Sequence, residues 1–356
     1  MTASRIAGLR ARMSEHGLDA LVVTSPAAVR YLTGFSGSNA LAVVTAGRAY
    51  FISDSRYAAQ SAQEVRHFQR IIGRRGLLED AAAAHALRGC RTAAFESDSL
   101  AYDRYLALRR LFPGTRFRPA AGILESMALV KEAREVACIE EAAAISDAVF
   151  SDALKTLRPG STELEIAAEI SWLNRRRGSE SDPFEVIVAS GPRAAMPHAR
   201  PTSRKLRKGE FIVLDFGSIV GGYCSDLTRT VALGRVPARL REAYRAVHEA
   251  NARATAAARG GMTARSLDAV ARRSIRARGF GRYFTHSLGH GLGLRVHERP
   301  RVSALSREVL QTGSIITIEP GVYIPGKGGV RIEDDVLLGD AGCRVLTRSP
   351  RDLIVL

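Results

Sequence analysis

Cysteine is scarce in this 356-residue chain, and its placement excludes several chemistries. Cys90, Cys138, Cys224 and Cys343 lie far apart and form no CxxC pair. Reduced structural thiols are therefore expected, and neither a disulfide framework nor a cysteine-based zinc site is. No stretch approaches the roughly 20 apolar residues that span a bilayer. The opening "MTASRIAGLRARMSEHGLDALVV" lacks the apolar heart of a secretory signal, so a cytoplasmic protein with no membrane partner is expected. Familiar catalytic signatures are missing as well. "HSLGH" is not the HExxH of a helical zinc protease, and "GFSGS" lacks the closing glycine of a serine-hydrolase elbow. "TGFSGSNA" carries no GKS/T and reads as a turn, not a phosphate loop.

Positive charge, by contrast, is abundant, with a formal net charge of +16. It comes mostly from arginines spread along the whole chain. The clusters at 175–177 and 204–208 are short and have no interleaved aromatic residues, so solvated faces are expected and no specific nucleic-acid partner. The length suits about two domains. In the first third, strands are expected in "DALVVTS", "ALAVVTAGRAYFISD" (turning at "TAGR") and "TAAFESD". Helices are expected in "RYAAQSAQEV", "LEDAAAAHALRG" and "AYDRYLALRRLF". A long amphipathic helix is expected over 127–160, stopped by Pro159-Gly160. A boundary near residue 125 thus separates a small α/β domain (1–125) from a larger one (126–356). The larger one is expected to have helices at 162–177, 238–258 and 263–278. Its strands are expected at 185–190, 211–218, 224–232, 314–319 and 329–338. Antiparallel hairpins dominate that pattern, so the class is α+β.

Acidic residues inside two of these hairpins are the main functional signal. In "FIVLDFGSIVGGYCSDLTRTVAL", Asp215 and Asp226 lie within apolar runs, where a carboxylate is costly unless neutralised. A turn at Val220-Gly221 sets them opposite each other, with Cβ atoms roughly 4.5–5.5 Å apart. In "IITIEPGVYIPGKGGVRIEDDVLL", a turn centred on Gly326 sets Glu319 opposite Glu333, and Arg331, Glu333 and Asp335 share one face of the returning strand. Two such pairs form a four-carboxylate box. "HSLGHGLGLRVHE" offers His286, His290 and His297 to complete it. Four carboxylates and one imidazole suit two divalent ions, whose charges then cancel. Oxygen-dominated ligation favours Mn²⁺, with Co²⁺, Zn²⁺ or Fe²⁺ feasible. Such a pair can share a hydroxide and polarise a carbonyl, the basis of metal-assisted amide hydrolysis. The plainer readings are solvated acids and packed histidines.

At these residues the sequence resembles the pita-bread metallopeptidases (M24) of the aminopeptidase P, prolidase and methionine aminopeptidase group. The resemblance covers nearly the whole chain, through "YLTGFSGSNA", "YFISDSRY", "VIVASGPRAAMPH", "LDFGSIVGGYCSDLTRT", "HSLGHGLGLRVHE" and "IEPGVYIPGKGGVRIEDDVLL". It implies a creatinase/prolidase-like N-terminal domain followed by a pita-bread catalytic domain. It also implies Asp215, Asp226, His290, Glu319 and Glu333 as ligands of two metal ions, with a bridging hydroxide as nucleophile and Glu319 handling its proton. His198 is implied near the leaving group or the intermediate, and His297 as donor to the carbonyl oxygen or the tetrahedral intermediate. His286, Tyr323 and Arg331 are implied as substrate-contacting groups, with His286 near the proline ring. The implied substrate is a peptide with proline second, cut at the Xaa-Pro bond by an Xaa-Pro aminopeptidase or dipeptidase, and the resemblance also implies a homodimer. One departure is Ala199-Arg200 after "PH", where relatives commonly have a glycine-containing turn; Arg200 either reaches a substrate carboxylate or is solvated. The alternatives are a non-catalytic pita-bread binding protein and a metal-free creatinase-like hydrolase, and the intact ligand set counts against both.

Overall fold

A computed structural model describes residues 2–120 and 122–356, which divide into two units, Met1–Ala128 and Leu129–Leu356. The first unit contains α1 (Thr2–Glu15), β1 (Ala20–Val23), α2 (Pro26–Thr33), β2 (Ala40–Thr45), β3 (Ala49–Asp54) and α3 (Ala58–Glu64). It continues through β4 (Gln69–Gly73), α4 (Leu77–Ala83), β5 (Thr92–Phe95), α5 (Tyr102–Leu111), β6 (Arg116–Pro119) and α6 (Ile123–Ala128). The six strands form one sheet in the order β4-β3-β2-β1-β5-β6. β1 is apolar throughout and buried at every position, as expected for a central strand covered on both faces. The edge strands carry exposed Arg70, Arg116 and Arg118, which discourage pairing with another chain. The helix expected over "LEDAAAAHALRG" is shorter, ending at Ala83, and His85 soon takes a left-handed φ of 54°.

The second unit opens with α7 (Ala133–Ala153), separated from α6 by a break that the expected 127–160 helix did not allow for. The Glu132 N–H donates to Glu135 Oε2 at 2.7 Å and starts the helix there. Then come α8 (Glu163–Arg176), β7 (Ile187–Ser190), β8 (Glu210–Phe216), β9 (Ile219–Val220), β10 (Tyr223–Cys224) and β11 (Leu227–Leu233). Two long helices follow, α9 (Ala238–Ala257) and α10 (Ala264–Ala277). The remainder is β12 (Gly289–Gly291), β13 (Glu298–Val302), β14 (Ile315–Ile318), β15 (Gly321–Ile324), β16 (Gly328–Arg331), β17 (Asp334–Leu338) and β18 (Cys343–Val345).

Helix periodicity explains how this unit packs. On α10, Leu267, Ala271 and Ile275 recur every fourth residue and are fully buried, while Arg265, Arg273 and Arg276 face outward. They join Leu240 and Val247 of α9 and Ile316, Ile318 and Val336 of the sheet in one core. A second core sets Val149, Phe150, Ile166 and Ile170 of α7 and α8 against Ile212, Leu214 and Val231. Each of these leucine, isoleucine, valine and phenylalanine side chains contributes about 1.5–3 kcal/mol on burial. The strands between the helices form a sheet β11-β8-β7 and a sheet β13-β12-β14-β17-β18. Hydrogen bonds join β11 to the second hairpin, where β16 gives way to β17: the Glu333 N–H donates to Thr228 O at 3.0 Å, and Thr230 Oγ1 donates to Arg331 O at 2.9 Å. These bonds bring the two acidic hairpins together.

Candidate metal centre

The first hairpin turns one residue later than expected. Gly221 and Gly222 have φ of 58° and 85°, the left-handed pair a two-residue hairpin turn demands. The register therefore shifts, and Asp215 faces Thr228 rather than Asp226. The shift is two residues on the partner strand, so Asp226 stays on the face Asp215 uses and becomes its diagonal neighbour. It sits in the gap between β10 and β11, not inside a continuous strand 224–232. In the second hairpin, Gly321 pairs with Arg331 and Ile318 with Asp334, which leaves Glu319 and Glu333 facing each other between two ladders. The expected strand 329–338 is interrupted at this point.

His290 enters from β12, a three-residue strand held between β13 and β14. Glycines flank it for steric reasons: a Cβ on Gly289 would lie 2.0 Å from Thr317 O, and one on Gly291 2.0 Å from Arg299 O. His290 Nδ1 faces Gly291 O at 3.1 Å, so that nitrogen carries the proton and Nε2 is left as a lone pair. Nε2 points at Glu319 Oε1 (3.5 Å) and Asp226 Oδ2 (3.8 Å). Ligand atoms of Asp226, His290 and Glu333 all lie within 4.8 Å of one another.

Burial pushes the Asp226 carboxyl well up, and Glu333 and Asp215 add to the shift. Glu319 is raised well above its usual range by burial and then by Glu333. Glu333 rises to about 8 through burial and the Asp215 charge, although Arg331 and the Thr228 hydroxyl oppose it. Asp335 is raised too, chiefly by burial; its Oδ2 accepts from the Asp226 N–H at 3.0 Å. Among the described residues, Asp226 Oδ1 and Asp335 Oδ1 are buried with no hydrogen-bond partner. Acceptors converging in excess of donors, with an imidazole lone pair aimed among them, are what a divalent cation site requires. The donor set thus fits metal.

Arg331 is the cation already present. Burial alone would lower it, but Tyr323, Asp215, Glu319 and Glu333 hold it well above its usual value. Its guanidinium contacts Asp215 Oδ2 and donates to the Tyr323 hydroxyl at 2.8 Å. That hydroxyl lies 3.0 Å from His286 Nε2, and His286 Nδ1 faces Ser287 O at 2.7 Å. Burial, then the Arg331 charge, lowers His286 to about 4, so the ring is neutral at physiological pH. His297 packs edge-on against His290, with ring centroids 4.4 Å apart, and is lowered by burial and then by His198.

All ten residues singled out from the sequence lie in the second unit. His198, His286, His290, His297, Asp215, Asp226, Glu319, Glu333 and Arg331 line one cleft of about 640 Å³, and Tyr323 lies behind it against His286 and Arg331. Arg200 is at the rim, exposed and 3.0 Å from Glu185. The sequence reading missed the supports. Arg229 is buried under the site, donating to Asp334 Oδ1 (2.7 Å) and to the carbonyls of Thr228, Glu333 and Ser349. An arginine in the apolar strand "DLTRTVAL" is the same kind of signal that Asp215 gave.

Two family models match the chain: "Metallopeptidase family M24" over residues 137–340 and "Creatinase/Prolidase N-terminal domain" over residues 5–130. The chain belongs to metallopeptidase family M24. This M24 peptidase is 40% identical over 348 residues to "Uncharacterized peptidase YqhT" of Bacillus subtilis, covering 98% of this chain and 99% of the relative. It is 42% identical over 238 residues to a Xaa-Pro dipeptidase of Pyrococcus furiosus, covering 67% of this chain and 68% of that one. A solved Xaa-Pro dipeptidase from Bacillus anthracis superposes with a TM-score of 0.97 at 38% identity, each chain covered completely. A solved X-Pro aminopeptidase from Thermotoga maritima gives a TM-score of 0.90 at 35% identity, covering 97% of this chain and all of that one. The M24 protein is therefore a hydrolase with a creatinase-type N-terminal domain and a pita-bread catalytic domain, and its family implies divalent metal. No helix among the described residues is long and apolar enough to cross a membrane.

Proposed function

We propose that this M24 peptidase is an exopeptidase that hydrolyses the bond between a first residue and a proline in second place. Asp215, Asp226, His290, Glu319 and Glu333 would hold two divalent ions, with Mn²⁺ favoured by the oxygen-rich donor set. Bound there, the ions supply Lewis-acid polarisation of the scissile carbonyl and a water that is nucleophilic at neutral pH. The observation that carries the reading is the convergence of unpaired Asp226 Oδ1 with the His290 Nε2 lone pair, Glu319 and Glu333.

The chain's own groups do the rest. Glu319 takes the proton of the attacking water and returns it to the proline nitrogen as the C–N bond breaks and the C–O bond forms. That nitrogen leaves as a secondary amine and needs the proton. His297 donates to the carbonyl oxygen as negative charge grows there. His198 sits at the leaving-group side. A proline amide has no N–H and a fixed ring, so strand-like recognition fails and a shaped pocket must replace it. His286, held by Tyr323, and the cleft residues Phe184 and Val186 offer such a wall.

Relatives named as dipeptidase and as aminopeptidase both support proline specificity. The test is release of the first residue from a Xaa-Pro dipeptide, a Xaa-Pro-Yaa tripeptide and an Xaa-Ala control, with Mn²⁺, Co²⁺ or Zn²⁺. Proline-dependent cleavage that stops on chelation and returns with metal is expected. A faster dipeptide or tripeptide assigns the branch. Undiminished hydrolysis after chelation, or equal rates on the alanine control, overturns the reading.

A further inference from the structure

His198 is exposed at the cleft, so its position depends on the backbone that carries it. That backbone is held at both ends. On one side Arg331 Nη1 donates to Pro197 O at 3.1 Å. On the other, Arg193 Nη2 donates to Arg200 O at 2.5 Å. Between them Ala199 is buried, and its N–H bonds back to Met196 O at 3.2 Å. Arg193 is fixed in turn by Glu163, at the start of α8, whose Oε2 accepts from Arg193 Nε at 3.0 Å.

Glu163 is fully buried and lies outside the carboxylate box. Its Oε1 accepts from Ser190 N–H (2.9 Å) and Oγ (2.8 Å), and its Oε2 also accepts from Thr202 N–H (3.1 Å) and Oγ1 (2.8 Å). One carboxylate thus gathers the end of β7, the turn after it and the strand-like stretch beyond the His198 loop. A buried charge with five donors is strongly anchored. Nothing in the hydrolytic chemistry uses it.

We propose that Glu163 and Arg193 are positioning residues that clamp the 197–200 loop and so place His198 over the leaving group. The inference rests on the reading of His198 given above. Displacing a catalytic group by about 1 Å can cost about 100-fold in rate.

The experiment is a double-mutant cycle on the full-length, Mn²⁺-loaded protein with a Xaa-Pro substrate. Arg193→Ala is the main variant, because it cuts the link to the loop and leaves Glu163 four donors. Expected is a kcat lower by about 10–100-fold with KM changed less than about threefold, and faster amide exchange at residues 197–200. In a His198→Ala background the same change should cost less than about threefold, because its target is gone. Arg193→Lys should recover part of the loss. Glu163→Gln should be worse, since an amide NH₂ would meet donors whichever way it turns. If His198→Ala is itself fully active, the reading of His198 fails and the clamp has nothing to position. If His198→Ala is impaired but Arg193→Ala is normal, or the two losses add, the clamp alone is overturned.

Discussion

Removing metal from the carboxylate box should make the protein's stability fall as pH rises above neutrality. In the metal-free state Glu333 keeps its proton up to about pH 8, whereas in the unfolded chain it loses it near 4.5. Between those values the folded state binds more protons, so stability is fully present below 4.5 and is lost as pH rises through about 8. His286 and His290 act with the opposite sign: their folded values, about 4 each, lie below the ordinary 6.5, so they cost stability as pH falls. Above about pH 7 both are neutral folded or unfolded, which leaves the carboxylates visible. From pH 7 to 8.5 Glu333 alone removes about 1 kcal/mol. Asp226, Glu319 and Asp335 all shift in that direction. At about 2–4 °C per kcal/mol for a domain of this size, Glu333 alone should lower Tm in chelator by about 2–4 °C over that interval. With Mn²⁺ present the drop should vanish or reverse, because deprotonated ligands bind metal better. A Tm in chelator that stays level or climbs from pH 7 to 8.5 would refute the reasoning.

Two further outcomes follow from the same geometry. Asp226→Ala should lower metal content and hydrolysis by more than the 10–100-fold or so typical of outer partners, with an unchanged circular dichroism spectrum; retained metal and activity would remove Asp226 from the ligand set. Arg229→Ala should destabilise the second unit by about 3–5 kcal/mol in urea titration, because it removes one partner of the buried Arg229–Asp334 ion pair and strands the carbonyls of Thr228, Glu333 and Ser349; a change below about 1 kcal/mol would mean that other groups hold the network.

Legibility in the sequence followed the length and purity of the local signal. The α8, α9 and α10 boundaries fall within a residue of expectation, because long amphipathic periods and caps such as Thr162 and Thr263 mark them. α2 was missed although Ser25, Pro26 and Gly34 give its start and stop, because eight residues make only about two turns and a period needs more length to stand out. β4 and β6 were missed because edge strands with arginines do not look like strands. In the site, the facing of Glu319 and Glu333 was legible from the symmetric turn about Gly326. The Asp215–Asp226 register was not, because both Gly221 and Gly222 can occupy a turn and only the backbone φ values decide between them. Thr228 and Arg229 escaped notice because their roles depend on a second sheet more than a hundred residues away in sequence.

Anomalous diffraction at the manganese edge, on crystals grown with Mn²⁺, tests the central claim most directly. Two peaks are expected, both bounded by Asp215, Asp226, His290, Glu319 and Glu333. No peak in the cleft, or manganese held only by other residues, would contradict the account.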